Sequence, residues 1–203
     1  MSAAVLRVID AVEPQSDPVQ NLLAAYHAAS PDQRAAGRSW YADQREIVRV
    51  LASKHDVPVS IVAAVVSALS PQTNWAQNIA GAARLLEAYS RGDSAPPRNA
   101  TLYYKNAEKA WRLVSGELSP DDAFAKAPKT RAFWRNLSGD ETAATVDTWM
   151  LRAAGVREQY KNGLTPAAYR PLADAIAQAA AVVGEPVAQF QAIVWVVVRG
   201  SAD

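Results

Sequence analysis

A lysine and an aspartate, Lys129 and Asp147, lie eighteen positions apart in KTRAFWRNLSGDETAATVDTWMLR (129–152), on either side of a Ser138-Gly139-Asp140 turn. An amphipathic segment that turns back at Gly139 and restarts as a helix at Asp147 can bring the two functional groups to one place. At the mouth of a helical domain, these side chains can do chemistry on a sugar–base bond. Breaking an N-glycosidic bond develops positive charge on the sugar; a fixed carboxylate beneath it stabilises that charge and can activate a water. Asp147 is the only acid whose context fits. A lysine of lowered pKa near the same sugar can attack it and form a Schiff base. Each residue also has an ordinary reading: Asp147 as the N-cap of a 147–153 helix, Lys129 as a surface or phosphate-contacting lysine. Asparagine caps helices about as well as aspartate, so Asp147→Asn is expected to change stability by less than ~1 kcal/mol.

The polar break SPQTNW supplies further candidates. Gln72 can enter the gap that a flipped base leaves in a duplex, or it can be a loop glutamine capping the preceding helix. Asn74, Trp75 and Asn78 can line a base pocket through stacking and amide hydrogen bonds, although a tryptophan at that spacing also suits a core. Trp40 and Tyr41 carry the same ambiguity. From Arg98 to Arg135 there are eight basic residues against four acidic ones. That is a basic stripe for phosphates, with Lys105, Lys126, Lys129 and Arg131 at its centre, or a solvated helix face. Neither His27 nor His55 has a partner at metal-ligand spacing, so no metal is expected. No phosphate loop, dinucleotide fingerprint or Ser-His-Asp elbow is present, and no cofactor is expected.

These residues must be held by helices. Residues 1–18 read as an extended lead-in broken by Pro14 and Pro18, and 19–203 as one helical domain of two lobes. Helices are expected over 19–29, stopped or followed by a cap at Ser30-Pro31, and from Ser39 to about His55. VPVSIVAAVVSAL, apolar on all sides and capped by Ser60, reads as the buried central helix. Further helices are expected at 75–90, at 100–115 with Leu102, Ala110, Leu113 and Val114 inward, and after the Ser119 cap. The remaining two are 147–153 and 166–183, stopped by Gly184. The apolar, β-branched segment 186–199 fits a helix or a strand.

Composition narrows the setting. Half of the 203 residues are hydrophobic and none is cysteine, which allows a large core and excludes disulfide, zinc-ribbon and iron–sulfur scaffolds. Abundant alanine and few β-branched runs favour an all-α protein. The net charge of +1 argues against a strongly basic nucleic-acid binder. The N-terminus is too short and charged for a signal peptide, and the apolar run at 192–198 is too short for a membrane span. The expected setting is cytoplasmic, with no membrane partner; nothing in the sequence speaks to oligomeric state.

Five motifs in order then agree with one family. Leu69-Ser70-Pro71-Gln72-Thr73 followed by Asn78, Tyr104 with Lys105-Asn106-Ala107, Lys129-Thr130, Val146-Asp147-Thr148 with Arg152, and Arg199-Gly200 run over roughly residues 40–200. Together they resemble the helix-hairpin-helix DNA glycosylase superfamily, the all-α group that includes endonuclease III. The resemblance implies two small helical lobes with a cleft. It places the catalytic carboxylate at Asp147 and the lysine of bifunctional members at Lys129. It further implies base contacts from Gln72, Asn74, Trp75, Asn78 and Trp149, and DNA-backbone contacts from Lys105, Lys126 and Arg131. The partner it implies is DNA, as a base-flipped duplex or a single strand. The chain also departs from the pattern: its hairpin, Phe124-Ala125-Lys126-Ala127-Pro128-Lys129, has no glycine, and Trp149 stands where histidine usually follows. The glycine-poor hairpin implies weak, salt-sensitive DNA binding, because lysine and arginine must replace backbone amides at phosphates. The mixture of Trp40-Tyr41, SPQTNW and VDTW also resembles small phage-type proteins on this fold, and implies an enzyme acting in a bacterial host. The functions implied are removal of a flipped base, hypermodification of a DNA base by a thymine pyrophosphorylase-like transfer, or DNA binding without catalysis.

Overall fold

The structure is a computed structural model in which residues 17–160 and 163–200 are described. Among them are ten α-helices and no strand, so the chain is all-α. They are α1 (Pro18–His27), α2 (Pro31–His55), α3 (Val59–Leu69), α4 (Trp75–Ser90), α5 (Tyr104–Val114), α6 (Pro120–Phe124), α7 (Pro128–Leu137), α8 (Thr148–Ala153), α9 (Pro166–Val183) and α10 (Val187–Arg199). The ambiguous 186–199 segment is thus a helix. No single helix among the described residues is long and apolar enough to cross a membrane. The chain divides into two compact units: residues up to Asp43 with those from Asp140 onward, and Gln44–Gly139.

In the first unit, α1 and α8–α10 pack around Leu22, Met150, Ile176, Phe190 and Ile193, all fully buried. Most of the expected lead-in lies outside the described residues. Pro18, expected to be a breaker, opens α1, where its missing N–H costs nothing, and Asp17 caps that helix through Val19 N–H. Helix α2 starts eight residues before the expected Ser39. Ser30 and Gln33 form a reciprocal capping box, with Ser30 Oγ accepting from Gln33 N–H and Gln33 Oε1 accepting from Ser30 N–H. The helix then passes through Gly37 without a break. A Cβ there would lie 2.5 Å from Ile193 Cα, so the glycine serves the close approach of α2 to α10.

In the second unit, Val62–Leu69 of α3 is buried on every side and packs against α4, α5 and α7. At roughly 1.5–3 kcal/mol for each buried valine or leucine, this helix anchors the unit. Ser60 does not cap it: Pro58 precedes the helix and no side chain accepts from its first turn. Trp134 of α7 donates to the Ser60 carbonyl at 3.0 Å. Helix α4 meets the 97–101 loop at Gly81, where a Cβ would fall 2.0 Å from the Ala100 carbonyl oxygen. Helix α5 starts at Tyr104 rather than residue 100, and that shift moves Leu102 out of the core. Expected inward, Leu102 is 76 % exposed.

Candidate functional site

Asp147 sits in the first unit, where the irregular segment 143–146 meets α8. Tyr169 of α9 fixes that segment: its hydroxyl donates to Ala144 O at 2.6 Å and accepts from Val146 N–H at 3.0 Å. Burial pushes the Tyr169 phenol up to about 12, so it stays protonated and able to donate. Asp147 is the N-cap of α8. Its Oδ1 accepts from the backbone N–H of Trp149 at 2.9 Å and of Met150 at 3.0 Å. Its Oδ2 accepts from the Trp195 indole of α10 at 3.0 Å. The carboxylate is half-buried and held by three donors from two helices.

Aromatic rings gather around it. Trp40 lies tilted against Trp195 at 5.7 Å between centroids and edge-on to Tyr41 at 4.8 Å. Tyr41 is buried and donates to Gln191 at 2.8 Å, and burial raises its phenol far above the ordinary value. The Arg152 guanidinium lies 4.5 Å over the Trp149 ring, and that of Arg199 lies 4.7 Å over Trp195. The rings of Trp40, Trp149 and Trp195 are half-buried. This arrangement can hold a carboxylate rigid beside flat, partly exposed surfaces, which suits an aromatic or cation-developing ligand.

The second unit holds the other candidates. Gln72 is exposed and has a positive φ of 60°, a left-handed backbone that a non-glycine residue adopts at a cost. It does not cap α3; its Oε1 accepts from the Tyr103 hydroxyl. Leu102 and Tyr103 are exposed beside each other in the chain. Asn74 caps α4 by accepting from Gln77 N–H at 2.9 Å. Trp75 is half-buried and edge-on to Phe133 at 6.3 Å. Asn78 is buried, and its Oδ1 has no hydrogen-bond partner. Lys105, Lys126 and Lys129 are exposed, while Arg131 is paired with Asp121. Lys126 and Lys129 bracket the start of α7, three residues after α6, where no side chain caps the helix.

Lys129 and Asp147 belong to different units. Around Asp147 the structure gathers Trp149, Trp40 and Tyr41, which the sequence singled out, Arg199, which it named only as part of a closing-helix motif, and Trp195 and Tyr169, which it did not name. Trp195 stands inside an apolar run whose pattern fits a helix or a strand; the Trp-Val-Val-Val-Arg spacing, which sets Trp195 and Arg199 one helical turn apart once the run is helical, is the available signal. Among the described residues no group of His, Asp and Glu is placed to hold a metal ion.

The chain belongs to a family of unknown function, DUF7178, whose model matches residues 8–202. No curated protein and no solved structure matches it.

Proposed function

We propose that this protein is a DNA-acting enzyme of the helix-hairpin-helix glycosylase fold. It flips a base and works on the flipped nucleotide, with Asp147 stabilising positive charge on the sugar. The observation that carries the reading is the Gln72 turn. A glutamine in the left-handed region destabilises the fold, and this one neither caps a helix nor packs into the core. Its amide is instead held by Tyr103, next to a leucine that is 76 % exposed. A polar amide with an aromatic ring and an exposed aliphatic side chain is the equipment for filling the space that an extruded base leaves in a stack.

Charge supports the same reading. Gln44–Gly139 holds thirteen lysines and arginines against eight acids, a balance of +5, while the remainder of the chain stands at −4. The uncapped start of α7, with Lys126 and Lys129 beside it, suits a backbone phosphate. Lys129 is exposed, which fits a phosphate contact better than a Schiff-base nucleophile. The three donors on Asp147 favour one second reading, a DNA binder on the same fold whose aspartate only caps α8.

Duplexes carrying 2-aminopurine test the first reading, because its fluorescence rises when the base leaves the stack. The protein should raise that signal, and the combined Gln72→Ala and Leu102→Ala variant should lose most of the rise. No rise at saturating protein, or the same rise in the variant, would overturn the reading.

A further inference from the structure

We propose that Arg152 and Arg199 form a phosphate-binding pair flanking Asp147, a site for the phosphates of one nucleotide. The inference rests on the reading of Asp147 as the carboxylate beneath a sugar. It starts from two cations in an otherwise acidic unit. Among the described residues, neither Arg152 nor Arg199 takes a carboxylate partner; each guanidinium lies over a tryptophan ring instead. A guanidinium held over a ring keeps its in-plane N–H groups available, and those groups match phosphate oxygens two at a time.

The two tryptophans are also two of the three residues that Asp147 binds, one through its backbone and one through its ring. Trp149 reaches Oδ1 through its backbone N–H, and Trp195 reaches Oδ2 through its indole. Arg152 stands one turn after Trp149 on α8, and Arg199 one turn after Trp195 on α10. Arg199 is therefore set relative to the carboxylate by a helix turn and one hydrogen bond, and Arg152 stands on the helix that Asp147 caps. Trp40 backs Trp195 and limits the freedom of that ring. A lone carboxylate repels phosphate; Asp147 and the two guanidiniums together carry a formal charge of +1. The chemistry that satisfies both signs is a group developing positive charge between two phosphates. A nucleotide sugar with its 3′ and 5′ phosphates has that form, either within a strand or as a free molecule.

The test uses the full chain and three probes: a single-stranded thymidine oligonucleotide, thymidine 3′,5′-bisphosphate and thymidine. Arg152→Gln with Arg199→Gln should melt near the parent, since each side chain gives up only its contact with one tryptophan ring. It should bind the oligonucleotide at least about tenfold more weakly, and its log K against log salt slope should be shallower by roughly one to two. The bisphosphate should raise the melting temperature of the parent but not of the variant, and thymidine should raise neither. The Arg152→Lys with Arg199→Lys variant should recover part of the affinity, as charge without the fork. Oligonucleotide and bisphosphate binding equal in parent and Gln variant overturns the site while leaving DNA binding intact. Bisphosphate binding through the arginines with no oligonucleotide binding keeps the site, as one for a free nucleotide, and removes DNA as partner. Binding of neither probe by the parent overturns the site.

Discussion

Both oxygens of Asp147 already accept hydrogen bonds, and that changes what its substitution costs. A bare N-cap tolerates asparagine at less than ~1 kcal/mol. Here either orientation of the new amide sets an NH2 group against the Trp195 indole or against the two backbone donors. A donor facing a donor loses about 1–3 kcal/mol, so Asp147→Asn should melt clearly below the parent. Trp195→Phe in the same chain should recover part of that loss, because the phenyl ring removes the opposing N–H. Strictly additive losses in the double-mutant cycle would contradict the hydrogen bond. Tyr169→Phe should cost about 2–3 kcal/mol in chemical unfolding, since it orphans the carbonyl of Ala144 and the N–H of Val146. Glu185 sets a pH limit. The Arg38 guanidinium bonded to it, with the Tyr26 hydroxyl, holds its carboxyl below the ordinary value against the opposing effect of burial. A lowered folded pKa gives stability that is complete above the ordinary 4.5 and lost as pH falls through the folded value. Glu185→Gln should therefore be less stable than the parent near pH 7, and the gap should close towards pH 3; a gap constant with pH would place the role of Glu185 in packing alone.

At the scale of elements, Gly37 decides where two helices meet. Alanine in a helix interior is favoured over glycine by about 1 kcal/mol. At Gly37 that gain is overturned, because the new methyl would meet the Ile193 backbone at 2.5 Å. Gly37→Ala should lower the melting temperature. A Gly37→Ala variant as stable as the parent would contradict the close packing of α2 on α10. The same contact shows why the sequence misplaced the start of α2. Gly37 beside the Ser30-Pro31 break reads as loop, and only the distant Ile193 turns it into a packing position. The fully apolar α3 and the caps at Ser119 and Asp147 were legible, since their signals lie within a few residues. Leu102 was not, because an apolar residue near a helix start reads as core unless the helix begins two residues later. The bond from Trp195 to Asp147 spans 48 residues, and no local pattern encodes it.

For the whole molecule, a net charge of +1 conceals a basic unit of +5 and an acidic remainder of −4. DNA contacts made by the basic unit should be salt-sensitive, each phosphate neutralised adding about 0.9 to the slope of log K against log salt. Lys126→Ala with Lys129→Ala should lower affinity and flatten that slope by roughly one to two; an unchanged slope would put the DNA surface elsewhere. The most direct test of the central claim measures chemistry on the base itself. Parent and Asp147→Asn would be incubated, below the melting temperature of both, with duplexes and single strands bearing normal and modified thymine and cytosine, and free base and strand mass followed. A carboxylate that stabilises the sugar cation predicts base release or a mass change with the parent. It predicts a rate more than a hundredfold lower in the folded variant, corresponding to about 3 kcal/mol of barrier. Equal rates in the two proteins, or no product from the parent on any of these substrates, would contradict it.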